Sequence, residues 1–98
     1  MFYVYFIIGS HGKLYVGWTS DLRERMKSHN SGESEYTKKF RPWKLIYYEA
    51  YLSGAEAKDR EKKLKYRGRA KVFVKQRLML SVKQAQNPKG ARLSVPVE

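Results

Sequence analysis

The stretch Phe2-Tyr3-Val4-Tyr5-Phe6-Ile7-Ile8, then Gly9-Ser10-His11-Gly12, then Lys13-Leu14-Tyr15-Val16-Gly17-Trp18, decides how the rest of the chain is read. It predicts two antiparallel strands joined by a tight turn, because aromatic and branched residues flank a glycine-bearing polar break. Strand side chains alternate faces with period two. Phe2, Val4, Phe6 and Ile8 therefore share one face of the first strand, and Tyr3, Tyr5 and Ile7 share the other. On the second strand Leu14, Val16 and Trp18 form an apolar face, opposite Tyr15 and Gly17. A loop from Gly9 to His11 would pair Ile8 with Gly12, and so Tyr5 directly with Tyr15. Taken alone, two phenols side by side are a cross-strand contact that steadies a sheet by roughly 0.2–1 kcal/mol.

The next segment gives them a second reading. Thr19 or Ser20 suits a helix N-cap, Asp21 suits the positive end of the helix dipole, and Asn30-Ser31-Gly32 closes the helix. Residues three and four apart share a face, so Leu22, Arg25, Met26 and His29 line one side. Leu22 and Met26 read as core contacts. Arg25 and His29 at the edge of that side either snorkel to solvent or, beside two tyrosines, form a site for an anion with a proton-transfer group.

The chain has 98 residues and a net charge of +12, with 42% hydrophobic and 14% aromatic residues. That is enough apolar material for one small core, and the charge points to a polyanionic partner, nucleic acid before membrane. No run reaches the length of a membrane span, and the first residues lack the order of a signal peptide. Cysteine is absent, which removes disulfides and thiolate zinc sites and agrees with a cytoplasmic setting.

From Ser31 to Trp43 the composition is that of a loop, ending at Arg41-Pro42. Lys38, Lys39 and Arg41 lie among Thr37, Tyr36 and Phe40, which suits either a nucleic-acid backbone with unstacked bases or a solvated loop with tucked aromatics. Lys44 to Tyr51 reads as a third strand. Ser53 and Glu56 form a capping box for a charged helix from Gly54 to about Tyr66. Its thin apolar line holds Ala57 and Leu64, with Glu61 between them. A carboxylate there pairs with Lys65 one turn on, or serves a metal ion or an arginine of the active face. After Gly68 a further helix is expected from about Ala70 to Gln84, with Val72, Phe73, Leu78, Leu80 and Val82 as core contacts. The expected organisation is one domain over residues 1–84. Residues 85–98 are expected to be a mobile basic tail, marked by Pro88, Gly90 and Pro96, in which Lys89 and Arg92 would add loose phosphate contacts.

Taken together, these residues resemble the GIY-YIG nuclease domain from Tyr3 to about Leu80. Tyr3-Val4-Tyr5 stands for the first motif, with Tyr3 in place of its glycine, and Tyr15-Val16-Gly17 for the second. Arg25, His29 and the Arg60-Glu61 pair follow at the family's positions. His29-Asn30-Ser31-Gly32, and the pattern running from Pro42 through Leu45 and Tyr47 to Glu49, resemble the small stand-alone members. The resemblance implies an α+β fold, a three-stranded antiparallel sheet in the order β-β-α-β-α-α. It also implies a metal-dependent endonuclease that hydrolyses a DNA strand in repair, recombination or processing. On that basis Glu61 would hold one Mg²⁺ or Mn²⁺, Arg25 would clamp the phosphate, and Tyr5 would act as base or orient the water. His29 would relay the proton and Tyr15 would orient water or phosphate, though the two tyrosines could exchange roles. The ring of Tyr3 must then point away from the phosphate.

Lys13, Lys38, Lys39, Arg41, Arg60 and Lys65 are the residues expected to meet nucleic acid, DNA first and RNA next. A two-metal nuclease would draw on a cluster of acids, whereas the chain has only two aspartates, Asp21 at a helix start and Asp59 on a charged face. The main rival is a binding module of this fold without turnover, which would have no use for Glu61. A purely structural, protein-binding role would explain the charge but not the site.

Overall fold

A computed structural model describes residues 1–87. The hairpin forms as β1 (Phe2–Ile8) and β2 (Leu14–Thr19), and β3 (Lys44–Tyr51) pairs along the other edge of β1. The sheet order is β2-β1-β3 and both pairings are antiparallel. Helix α1 (Leu22–Ser31) follows β2, and α2 (Gly54–Lys65), α3 (Arg69–Arg77) and α4 (Met79–Gln86) follow β3. No helix among the described residues is long and apolar enough to cross a membrane.

The central strand is closed on both faces, with every residue from Tyr3 to Ile8 buried. Val4, Phe6, Ile8 and Val16 pack against Ala57 and Leu64 of α2 and against Ala70, Val74, Val82 and Ala85 of the following helices. Tyr3, Tyr5 and Ile7 pack on the opposite face with Leu22 and Met26 of α1, together with Trp43 and Leu45. The faces are those the alternation predicts.

The register differs from the expectation. Ile8 pairs with Leu14, not Gly12, so Tyr5 stands across from Gly17 and Ile7 across from Tyr15. The loop is longer because a single 3₁₀ turn at Ser10–Gly12 occupies it, with His11 at φ 60° and Gly12 at φ 70°, closed by Gly9 N–H donating to Lys13 O at 2.8 Å. The slip is by two residues, which preserves the face of every side chain. Tyr5 and Tyr15 are therefore diagonal neighbours, with ring centroids 6.4 Å apart.

Asp21, not Thr19 or Ser20, caps α1, its carboxylate accepting from Glu24 N–H at 3.0 Å. Thr19 instead accepts from Asp21 N–H through its hydroxyl at 3.1 Å, shaping the turn that leads in. Gly32 ends the helix in the left-handed region at φ 87°, where glycine carries no Cβ penalty. Ser53 caps α2 through Glu56 N–H, as the capping box predicts.

The single helix expected from Ala70 to Gln84 is two. Leu78 leaves helical geometry (φ −121°, ψ 14°) and buries its side chain, which redirects the chain between α3 and α4. Val72 and Leu80, expected in the core, are consequently 52% and 75% exposed, and Ala70, Val74 and Ala85 take their places. Helix α4 continues through Gln86, past the expected domain edge at residue 84. The tail expected beyond it, with Lys89 and Arg92, lies outside the described residues.

Candidate active site

Tyr5 lies on the inner strand of the sheet, and its phenol rests over Gly17 on the neighbouring strand. A Cβ at Gly17 would stand 2.5 Å from the Tyr5 oxygen, so the glycine of the second motif is the seat of the tyrosine of the first. From there the hydroxyl meets His29 Nε2 at 2.8 Å. His29 comes from the last turn of α1 and is 2% exposed, deeper than the edge position its helix spacing predicts. Its other nitrogen, Nδ1, lies 2.9 Å from the Thr37 hydroxyl, and Thr37 is fully buried.

Arg25, one turn before His29, is exposed and lies near enough to the Tyr5 oxygen for its charge to favour the phenolate. Tyr15 is half-buried and packs edge-on to His29 at 5.1 Å, with Trp43 and Tyr36 at 6.1 and 5.9 Å. Glu61, on α2, is held 3.3 Å from Lys65 Nζ, and Lys65 lies 5.3 Å over the Tyr15 ring. The structure thus realises the ion pair expected of Glu61 as a helix residue. It also brings Glu61 near enough for its charge to oppose ionisation of Tyr5.

Burial pushes the Tyr5 phenol well above its ordinary range, and Tyr15 adds to this; the nearby Arg25 guanidinium acts in the opposite sense. Burial, then the Arg25 charge, push His29 down to about 4, so its imidazole is neutral at pH 7. The five residues Tyr5, Tyr15, Arg25, His29 and Glu61 therefore converge from β1, β2, α1 and α2 on one place. They present a cation, a neutral imidazole, two phenols and one carboxylate.

Among the described residues no cluster of three or more His, Asp or Glu side chains could by itself enclose a metal ion. If the site holds a divalent cation that keeps most of its waters and takes one carboxylate, Glu61 would be its protein oxygen ligand. Tyr3 is buried and meets Tyr48 edge-on at 5.8 Å, so its ring is absorbed by the core.

Three residues that sequence reasoning passed over hold the site together. Thr37 anchors His29, and its carbonyl accepts from the Trp43 indole N–H at 2.7 Å. Asn30 brackets the Trp43 backbone, accepting from its N–H at 2.6 Å and donating to its carbonyl at 3.1 Å. Trp43 thereby fixes the loop that carries Thr37. Nothing in a polar loop distinguishes a threonine that points inward, so no local signal could have found it.

The residues expected to meet nucleic acid separate. Lys13 lies over the rings of Phe40 and Tyr36 at 5.1 and 5.8 Å, and Lys65 borders Tyr15. Lys39 is exposed, Lys38 pairs with Glu35 at 3.1 Å, and Arg41 donates to the Lys38 carbonyl at 3.0 Å with its guanidinium over Gly32. Arg60 is committed elsewhere. It makes a two-pronged contact with Glu49 at 2.8 and 2.9 Å, and Glu49 also accepts from the Tyr47 and Tyr51 hydroxyls. Arg60 therefore staples α2 to β3.

Residues 1–76 match the GIY-YIG catalytic domain. The UPF0213 protein CPE1444 of Clostridium perfringens is 42% identical over 62 residues, covering 62% of this chain and 67% of that protein. A UPF0213 protein of Bacillus pumilus is 39% identical over 64 residues, covering 64% of this chain and 65% of its own length. The solution NMR structure of the UPF0213 protein BH0048 from Bacillus halodurans superposes with a TM-score of 0.54 at 27% identity, over 93% of this chain and 100% of that one. The chain belongs to the GIY-YIG catalytic domain family, and its relatives among the UPF0213 proteins are small single-domain members.

Proposed function

We propose that the protein is a divalent-metal-dependent endonuclease that hydrolyses a phosphodiester bond in DNA, selecting structure or short context over long sequence. The observation that carries this is the Tyr5–His29–Thr37 chain capped by Arg25 and Glu61. A bound divalent ion on Glu61 would supply Lewis acidity at the phosphate. Arg25, planar and always charged, grips a phosphate oxygen and meets the extra negative charge as it develops. Tyr15 borders the same space and orients water or phosphate.

The role of His29 follows from counting hydrogens. Thr37, His29 and Tyr5 carry three hydrogens between them for two hydrogen bonds. At the buried Thr37 end the hydroxyl has His29 as its partner, whereas Tyr5 also faces Tyr15 and Glu61. The satisfied arrangement has Thr37 donating to Nδ1 and Nε2–H donating to the Tyr5 oxygen. Tyr5 then receives a hydrogen bond from His29, and the Arg25 charge favours the phenolate as well. Both act against the burial that raises Tyr5 overall, so a phenolate accepting a proton from water would also need the charge of a bound cation.

The ion pair between Glu61 and Lys65 favours a second reading, a nucleic-acid-binding module in which Glu61 has no metal to hold. The test is cleavage of labelled branched, single-stranded and duplex DNA with Mg²⁺, with Mn²⁺ and with chelator, wild type beside Glu61→Gln. Cutting that needs metal and Glu61, with binding kept in the variant, supports the enzyme. Salt-sensitive binding with no cutting by either protein supports the module.

A further inference from the structure

Beside the site, two clefts adjoin. The first, about 400 Å³, is lined by Tyr15, Tyr36, Leu64, Lys65 and Lys71 over a floor that includes Leu14. The second, about 430 Å³, is lined by Leu14, Lys13, Lys71, Lys75 and His11 among others. They share Leu14 and Lys71 and so make one groove between β2 and α3, opening at Tyr15. Among the described residues, no aspartate or glutamate lines either part. By contrast, the outward side of α2 mixes Glu56 and Asp59 with its lysines, and Lys63 is paired there with Asp59 at 2.8 Å. Lys71 and Lys75 stand one helical turn apart, on the same side of α3, and neither makes an ion pair among the described residues.

We infer that this groove carries the sugar–phosphate backbone of the substrate strand away from the cut, with Lys71 and Lys75 on its phosphates. The inference rests on the nuclease reading and adds the path of the strand. A polyphosphate is the occupant because the groove is continuous with the phosphate-gripping site, carries cations along its rim and has an apolar floor suited to sugar. The exposed Tyr36 ring at its mouth offers a stacking surface that tolerates any base. Lys38, Lys39 and Arg41 lie off this path.

The experiment measures binding of fluorescently labelled DNA by anisotropy across a salt series, in chelator so that nothing is cut. Lys71→Ala/Lys75→Ala is compared with Lys62→Ala/Lys83→Ala, two exposed lysines that line neither cleft. Both pairs remove the same charge, and equal melting temperatures confirm that both fold. The groove pair is expected to flatten the slope of log Kd against log salt by about 1.4–1.8, from roughly 0.7–0.9 per lost phosphate contact. It should weaken binding at least fivefold at moderate salt, against less than twofold for the control pair. Equal effects of the two pairs, or a groove pair that binds like wild type, overturn the path. If wild type still cuts with metal in that case, the nuclease reading stands and the path alone falls. A groove-dependent slope without any metal-dependent cutting removes the nuclease reading and keeps the groove. Wild type that binds no DNA at any salt removes both.

Discussion

The Tyr5 hydroxyl and His29 Nε2 lie 2.8 Å apart, with both side chains closed off from solvent and His29 held from behind by Thr37. Because His29 is neutral, the direction of that hydrogen bond is set by which ring nitrogen carries the proton, and in the proposed arrangement Thr37 selects it. Thr37→Val keeps the shape and removes the donor. Cleavage should fall roughly tenfold to a hundredfold, less than the roughly 10²–10⁴-fold that a positioned proton-transfer group itself contributes. Thr37→Ser should restore most of it. Ring ¹⁵N shifts should show the Nε2–H tautomer in wild type and in the serine variant, and loss of that preference in the valine variant. A wild-type Nδ1–H tautomer sinks the assignment.

Gly17 offers a second probe of the same phenol. Gly17→Ala places a methyl group 2.5 Å from the Tyr5 oxygen and 2.7 Å from its ring carbon, so the ring must move. A loss of about 1–3 kcal/mol in stability is expected, as for other overpacked interiors. Cutting should be abolished while DNA affinity changes less than a few-fold. Wild-type cutting by this variant would mean the position of Tyr5 is not critical.

Acid should weaken the fold in a defined window. His29 is held at about 4 in the folded protein, against an ordinary value of 6.5. Between those values the unfolded chain binds more protons, so stability falls as pH drops from about 6.5 towards 4, by up to about 3 kcal/mol. Glu49 is lowered by its hydrogen bonds from Arg60, Tyr51 and Tyr47, which outweigh burial, so its own loss comes only at lower pH. Urea melts between pH 7 and pH 4.5 should show a slope in wild type that flattens in His29→Gln. A slope unchanged in the variant would place the titrating group elsewhere.

The Glu49 staple should matter to stability more than to chemistry. Glu49→Ala leaves the Tyr47 and Tyr51 hydroxyls and the Arg60 guanidinium without their shared acceptor. Because Arg60 is partly exposed, the cost is expected at about 2 kcal/mol. Arg60→Lys should recover only part of a single contact, since lysine lacks the planar fork. If either change altered DNA affinity with no change in melting temperature, Arg60 would belong to the binding surface after all.

What the sequence by itself determined was local. The strand alternation placed Tyr5 and Tyr15 on one face, Ser53 and Glu56 announced α2, and helix spacing put Arg25 and His29 on the side that carries Leu22 and Met26. These features depend on residues within one turn or one strand, where the repeat of the backbone fixes direction. The tertiary structure decided what no repeat encodes. It set the two-residue slip that seats Tyr5 over Gly17, through a turn whose His11 adopts a positive φ. It broke the last helix at Leu78 and turned Val72 and Leu80 outward. It gave Arg60 to Glu49, eleven residues away on another element, and brought Thr37 in from a loop to hold His29. Each depends on which surfaces meet when the helices close on the sheet, and that is settled by packing between elements.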